Sequence, residues 1–238
     1  MRVFGNPLCA LAITVSLRSV VLASGGQQPF NEDALSRECD AGSAVSCFSI
    51  GEHYRFGDKS TEPKAVSAYA KACATGMLVA CTRQGQLLHQ RGTDESYAQA
   101  VGLFRNACDQ GNTEACGDLG TMYIYGRGVP EDSSLAAPLL VKGCDGGDGA
   151  ACNKAGVLYG RGDGVARNSK SAFELYTKGC EQRIQNADAC TNLAGYYADG
   201  ELVPKDIEKA KQLYRVSCDT VCSATKEIAC NKLSELSR

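Results

Sequence analysis

Tryptophan is absent, histidine occurs only at positions 53 and 89, and no run of basic residues appears anywhere in the chain. Two histidines, each inside a helical pattern, do not make a catalytic pair, and His53 and His89 are expected to be exposed side chains. The sequence holds no Gly-x-Ser-x-Gly elbow, phosphate-binding loop, His-Glu-x-x-His motif or dinucleotide fingerprint. The lack of a basic run argues against nucleic acid as a partner, because that affinity rests on neutralising phosphates. The apolar stretch at the N-terminus is short and broken by Arg18, which argues against a membrane span. No cofactor or metal is implied.

Cysteine, by contrast, is abundant. Fourteen are present, and twelve fall into six pairs: Cys39/Cys47, Cys73/Cys81, Cys108/Cys116, Cys144/Cys152, Cys180/Cys190 and Cys218/Cys230. Successive first cysteines lie 34, 35, 36, 36 and 38 residues apart. A period of that length marks a helical solenoid stacked one supersecondary unit at a time. Cysteines eight apart cannot be bridged within one helix, where they would sit about 12 Å apart; a disulfide needs Cα atoms within roughly 7 Å. The chain must therefore turn back between the members of each pair. Gly42, Gly76, Gly111 and Gly147, each three residues after a first cysteine, supply that turn. Zinc is the competing use of paired cysteines, but its sites favour two to four intervening residues or nearby histidines.

Counting back from each first cysteine exposes one apolar helix face, helix B. Ala65, Ala100, Ala136, Ala172 and Ala210 stand eight before it. Ala68, Leu103, Leu139, Leu175 and Leu213 stand five before, and Tyr69, Phe104, Leu140, Tyr176 and Tyr214 four before. Counting forward from each second cysteine gives helix A. Its fourth position holds Gly51, Gly85, Gly120, Gly156 and Ala194, small enough for close helix approach. Its seventh holds Tyr54, Leu88, Tyr123, Tyr159 and Tyr197. Glycine then stops the helix at Gly57, Gly92, Gly126, Gly162 and Gly200. Pro138, inside the third helix B, is expected to remove a backbone hydrogen bond and kink it. The turns within the last two cysteine pairs carry insertions, with Gln185 and Asn186 in one and Cys222 in the other.

Cysteine, then Gly-x-x-Tyr, a glycine-containing loop and an alanine-rich helix together resemble the Sel1-like repeat (SLR), a relative of the tetratricopeptide repeat. Asn192 to Tyr197 and Gly126 to Asp132 carry the resemblance most clearly. The added cysteine pairs are similar to those of the secreted, cysteine-rich bacterial (Hcp-type) SLR proteins. The expected fold class is all-α: a right-handed α/α superhelical solenoid of disulfide-stapled helix-turn-helix repeats. Residues 24–38 would form a cap helix. Residues 39–238 would form the solenoid, with repeats at 39–72, 73–107, 108–143, 144–179 and 180–217 and a terminal half repeat at 218–238.

The first 23 residues read as an export signal, with Val21-Leu22-Ala23 before Ser24 suiting cleavage. That implies a periplasmic or secreted protein. The same acid-free segment also admits a mitochondrial presequence, and so the intermembrane space. Removing Arg2 and Arg18 shifts the formal charge from −2 to −4. Cys9 would leave with the segment, so one cysteine remains unpaired. Either Cys218 or Cys222 can pair with Cys230, and Cys222 is taken as the free thiol.

The function expected of this pattern is an exported protein–protein interaction scaffold holding a peptide or protein partner in a groove lined by the A helices. Its contacts would lie two, five and nine positions after each second cysteine: Arg83, Asp118, Lys154 and Asn192; Glu52, Gln86 and Thr121; and Phe56, Tyr125, Arg161 and Asp199. Two alternatives differ in kind. The resemblance implies that some relatives bind or slowly hydrolyse β-lactams, and the chain has one Ser-x-x-Lys, Ser223-Ala224-Thr225-Lys226. It lacks the Ser-Asp-Asn and Lys-Thr-Gly partners, and the match is expected to lie in the inserted turn between Cys222 and Cys230, not at the start of a buried helix. No catalytic residue is therefore assigned, and the protein is expected not to be an enzyme. Cys222 motivates the other alternative, a redox or assembly role.

Overall fold

The computed structural model describes residues 30–57, 60–181, 186–220 and 224–238. Residues 1–23, expected to be an export signal, residues 24–29 of the expected cap helix, Gln185, Cys222 and Ser223 lie outside them. The described residues form helices without strands: α1 (Glu32–Asp40), α2 (Ala44–Arg55), α3 (Glu62–Ala74), α4 (Leu78–Arg91), α5 (Asp94–Asp109), α6 (Thr113–Tyr125), α7 (Ser133–Asp145), α8 (Gly149–Arg161), α9 (Ser169–Glu181), α10 (Ala187–Asp199), α11 (Ile207–Asp219) and α12 (Lys226–Leu236). Substantial contacts join only helices one or two apart in the chain. This is an all-α solenoid whose A helices are α2, α4, α6, α8, α10 and α12. The capping helix α1 begins at Glu32 under the Asn31 side chain, which accepts from the Ala34 N–H, and it runs on through Cys39.

Each disulfide joins the end of one helix to the start of the next. Six bridges lie among the described residues: Cys39–Cys47, Cys73–Cys81, Cys108–Cys116, Cys144–Cys152, Cys180–Cys190 and Cys218–Cys230, with Cα separations of 4.5 to 4.9 Å. The turn inside the first four is one motif. Gly42, Gly76, Gly111 and Gly147 adopt φ of 92 to 96°. The following N–H returns to the carbonyl just before the first cysteine: Ser43 to Glu38 at 2.9 Å, and Asp148 to Gly143 at 3.1 Å. This is a Schellman end, and only glycine adopts its left-handed residue without strain. The same Ser43, Asn112 and Asp148 then cap the next helix through their side chains, worth about 1 kcal/mol each. Asn186 does both jobs across the longer fifth turn: its N–H reaches Gly179 O at 3.0 Å and its side chain caps α10.

The core is a row of small local cores. Alanines eight before each first cysteine are fully buried, as are the aromatic or leucine side chains four before it. The intervening leucines, Leu103, Leu139, Leu175 and Leu213, are only half-buried, because they lie at the edge of the contact stripe. A Cβ added at Gly51, Gly85, Gly120 or Gly156 would come within 2.5 to 2.8 Å of Tyr69, Phe104, Leu140 or Tyr176 respectively. Each ring or branched chain thus seats on bare backbone of the preceding A helix. Helix α7 runs unbroken from Ser133 to Asp145 with Pro138 inside; Pro138 is exposed in its second turn. Gly92, Gly126, Gly162 and Gly200 end their helices in the left-handed region, whereas α2 closes on Phe56 and Gly57 is not left-handed. No helix among the described residues is long and apolar enough to cross a membrane.

Candidate functional site

The A helices carry two rows of polar and aromatic side chains. The inner row is tied together across repeats. Glu52 on α2 accepts from the Tyr69 hydroxyl at 2.5 Å and lies 3.9 Å from Arg83 Nε on α4. Arg83 in turn donates to Glu114 on α6 and, at 2.9 Å, to Gln86 Oε1. Gln86 Nε2 donates to both Glu114 and Asp118 at 2.9 Å. Further along, Asn192 donates to Asn153 at 2.8 Å. The structure therefore brings Glu52, Arg83, Gln86 and Asp118 together, but as a ladder linking one A helix to the next. Such partly exposed pairs contribute roughly 0–1 kcal/mol each, so their main effect is to hold register. Thr121 bonds back to Gly117 O at 3.0 Å within its own helix.

The outer row is open. Phe56 and Tyr125 are 60 % and 54 % exposed, and Arg161 and Asp199 are also exposed. An arginine lies 5.0 Å over each ring, Arg55 on Phe56 and Arg127 on Tyr125. Lys154 is half-buried on α8 and its charge acts on Asp118.

Between the inner row and the turn before α8 lies an open cavity of about 470 Å³, lined by Gln86, Glu114, Asp118, Asp148 and Asn186 and by glycine backbone. Burial raises the Asp118 carboxyl to about 6. The Gln86 hydrogen bond opposes this, and the charges of Glu114 and Asp148 add to it. Because the folded value exceeds the ordinary one, ionised Asp118 destabilises the fold above about pH 6. That cost fades as pH falls through 6 and is gone below about 4. Asp118→Asn, which keeps an acceptor for Gln86, should raise stability at pH 7.5 by about 1–3 kcal/mol and leave it unchanged at pH 4. Urea melts at the two values measure this; an equal effect at both would exclude ionisation as the cause.

Glu114 and Asn153 complete the ladder but do not stand out in the sequence. Residues equivalent to Glu114 are Val45, Val79, Ala150 and Asp188, so no periodic signal marks it. His89 departs from the expected exposed side chain. It is half-buried, and its Nε2 lies 2.7 Å from Arg127 Nη1. His53 is exposed and stacks on Phe30 at 3.5 Å between ring centroids. Lys226 of the Ser-x-x-Lys match opens α12, in which Ala229 is the one buried residue. Just before it, the Thr225 N–H donates to Asp188 Oδ1 at 2.9 Å. Ser223 lies outside the described residues, as does Cys222. No group of metal-ligating side chains occurs among the described residues.

The Sel1 repeat model matches residues 79–112, 113–148, 149–183 and 187–219, more than half of the chain. The chain belongs to the Sel1 repeat family. Each matched segment spans one A helix and the B helix after it; α2–α3 lies outside them. Among solved structures, the chain is similar to c5321 of uropathogenic Escherichia coli, described as a protective antigen displaying an SLR fold. The two share 26 % identity over 87 % of this chain and 44 % of that one, with a TM-score of 0.73. The chain thus spans less than half the length of that relative. A Sel1 repeat protein from Oxalobacter formigenes is 25 % identical over 79 % and 84 % of the two chains, TM-score 0.65. YrrB, described as a TPR protein with an unusual peptide-binding site, shares the fold at 20 % identity over 85 % and 100 %, TM-score 0.50. No curated protein matches the sequence. A Sel1 solenoid of this kind supports a role as a protein–protein interaction scaffold.

Proposed function

We propose that the protein is an exported scaffold that holds a peptide or protein partner along the A-helix face. The observation that carries this is the outer row. Phe56 and Tyr125 stand at the same repeat position two repeats apart, each a large exposed ring under an arginine. Aromatics and arginine are the side chains that dominate binding at protein interfaces, and nothing in the fold requires them to be exposed. The inner ladder keeps the A helices in register beneath them. YrrB, with the same fold, is described by its peptide-binding site, which supports a peptide as the ligand class. The six disulfides fit an oxidising compartment, in keeping with export.

Site-directed photocrosslinking tests the face. A crosslinker at Phe56 or Tyr125 should trap a partner in the oxidising compartment, whereas one at exposed Glu174 on α9, a B helix, should not. Adducts from Glu174 alone would overturn the assignment.

A further inference from the structure

Among the described residues, Arg127 is an outer-row cation that is anchored and left without a counter-charge. It sits in the loop after α6, with its guanidinium 5.0 Å over the Tyr125 ring and 5.6 Å over the Tyr97 ring. Its Nη1 is 2.7 Å from His89 Nε2. Arginine only donates, so Nε2 accepts and the imidazole is neutral; burial and the Arg127 charge both hold the His89 pKa below its ordinary value. The loop itself is seated tightly: a Cβ on Gly128 would lie 2.5 Å from the Tyr97 backbone. One guanidinium N–H is thereby spent on orientation, and the planar fork is fixed in place.

Arg55, Arg83 and Arg91, on the first two A helices, are each held by a carboxylate. Among the described residues, neither Arg127 nor Arg161 forms such a pair. Arg161 ends α8, the next A helix, and is exposed at the repeat position that Tyr125 holds on α6. A stacked, immobilised guanidinium without a carboxylate is a carboxylate receptor already ordered for its ligand.

We propose that Arg127 and Arg161 receive two acidic side chains of the partner segment. This rests on the A-helix face being the binding face. The partner segment therefore carries two Asp or Glu side chains. Asp163 occupies the Arg127 position in the next repeat, which confines the receptor to these two cations.

The test is selection of a random twelve-residue peptide library on the oxidised, disulfide-bonded protein, alongside Arg127→Gln and Arg161→Gln. The unmodified protein should enrich peptides with at least two acids. An enriched peptide, resynthesised with blocked ends, should lose at least tenfold in affinity on Arg127→Gln and several-fold on Arg161→Gln. Arg161 is exposed, so that variant reads the contact without disturbing the fold. Replacing both acids by Gln in the peptide should cost as much as the protein changes. Enrichment of peptides without acids, or acidic peptides equally bound by Arg127→Gln and Arg161→Gln, would overturn the carboxylate receptor and leave the A-helix face intact. No enrichment on the unmodified protein would overturn the binding face and this proposal with it.

Discussion

Full reduction of the disulfides should unfold the solenoid, seen as loss of most helical circular dichroism at 25 °C. Each bridge closes a loop of eight to twelve residues, worth about 2.5 kcal/mol in the chain-entropy model. Six together exceed roughly 10 kcal/mol, comparable with the whole stability of an ordinary domain, about 5–15 kcal/mol. The solenoid has little in reserve, because its smaller cores are mostly alanine, with Leu140 and Leu158 the large side chains of one and Tyr214 that of another. The bridges should also open in order. Cys39–Cys47, Cys108–Cys116, Cys144–Cys152 and Cys180–Cys190 are buried at both ends, so a reductant reaches them only after local opening. Cys218 and Cys230 are half-buried next to the terminal helix α12. Mass spectrometry after brief reduction and alkylation should find that pair first. Cys144→Ser/Cys152→Ser, in the middle of the stack, should cost about 2–3 kcal/mol. A fully reduced protein that kept its helicity would show that packing alone sustains the fold.

Most of this architecture is legible in the sequence because two constraints recur at fixed offsets. The cysteine interval demands a reversal between helices, and glycine opposite a ring demands close contact within a repeat. What the offsets miss is any duty shared between residues of different types. Ser43, Met77, Asn112, Asp148 and Asn186 occupy one position, and four of the five cap the next helix. Met77 cannot cap through its side chain, and it breaks the pattern an observer would need. The half-buried leucines five before each cysteine are a second miss. Apolar identity predicts the face but not how deep its edge lies.

The candidate site divides on the same grounds. Phe56, Tyr125, Arg161 and Asp199, chosen by their offset along one helix, are exposed. Such offsets could not foresee that Glu52, Arg83, Gln86 and Asp118 meet, since the links run through Glu114 and between residues about 30 apart in sequence. Likewise His89 meets Arg127 across 38 residues. Pairings of this kind depend on which side chains neighbouring repeats present, and a repeat pattern averages that detail away.

The glycine–ring contact allows a sharper test of the packing, through a double-mutant cycle at Gly85 and Phe104. Phe104 is fully buried, and Phe104→Ala should cost about 3–5 kcal/mol. Gly85→Ala adds a methyl whose carbon would lie 2.6 Å from Phe104 Cε1, well inside contact distance. The ring cannot retreat, because Cys81, Ala100, Leu119 and Met122 surround it in the same core. That change should cost about 1–3 kcal/mol from overpacking. In the double variant the methyl enters space the ring has left, so the combined loss should fall short of the sum by at least about 1 kcal/mol. In the fifth repeat Ala194 stands at the glycine position and Tyr214 still packs into the core, so a methyl and a ring coexist there and the clash at Gly85 is a property of how Phe104 is seated. Additive losses would mean that Gly85 is needed for helix geometry and not for the ring. A strong coupling would identify the glycine–ring pair as the unit that holds each A helix to its B helix, and so as the feature that lets so small a core stack into a solenoid.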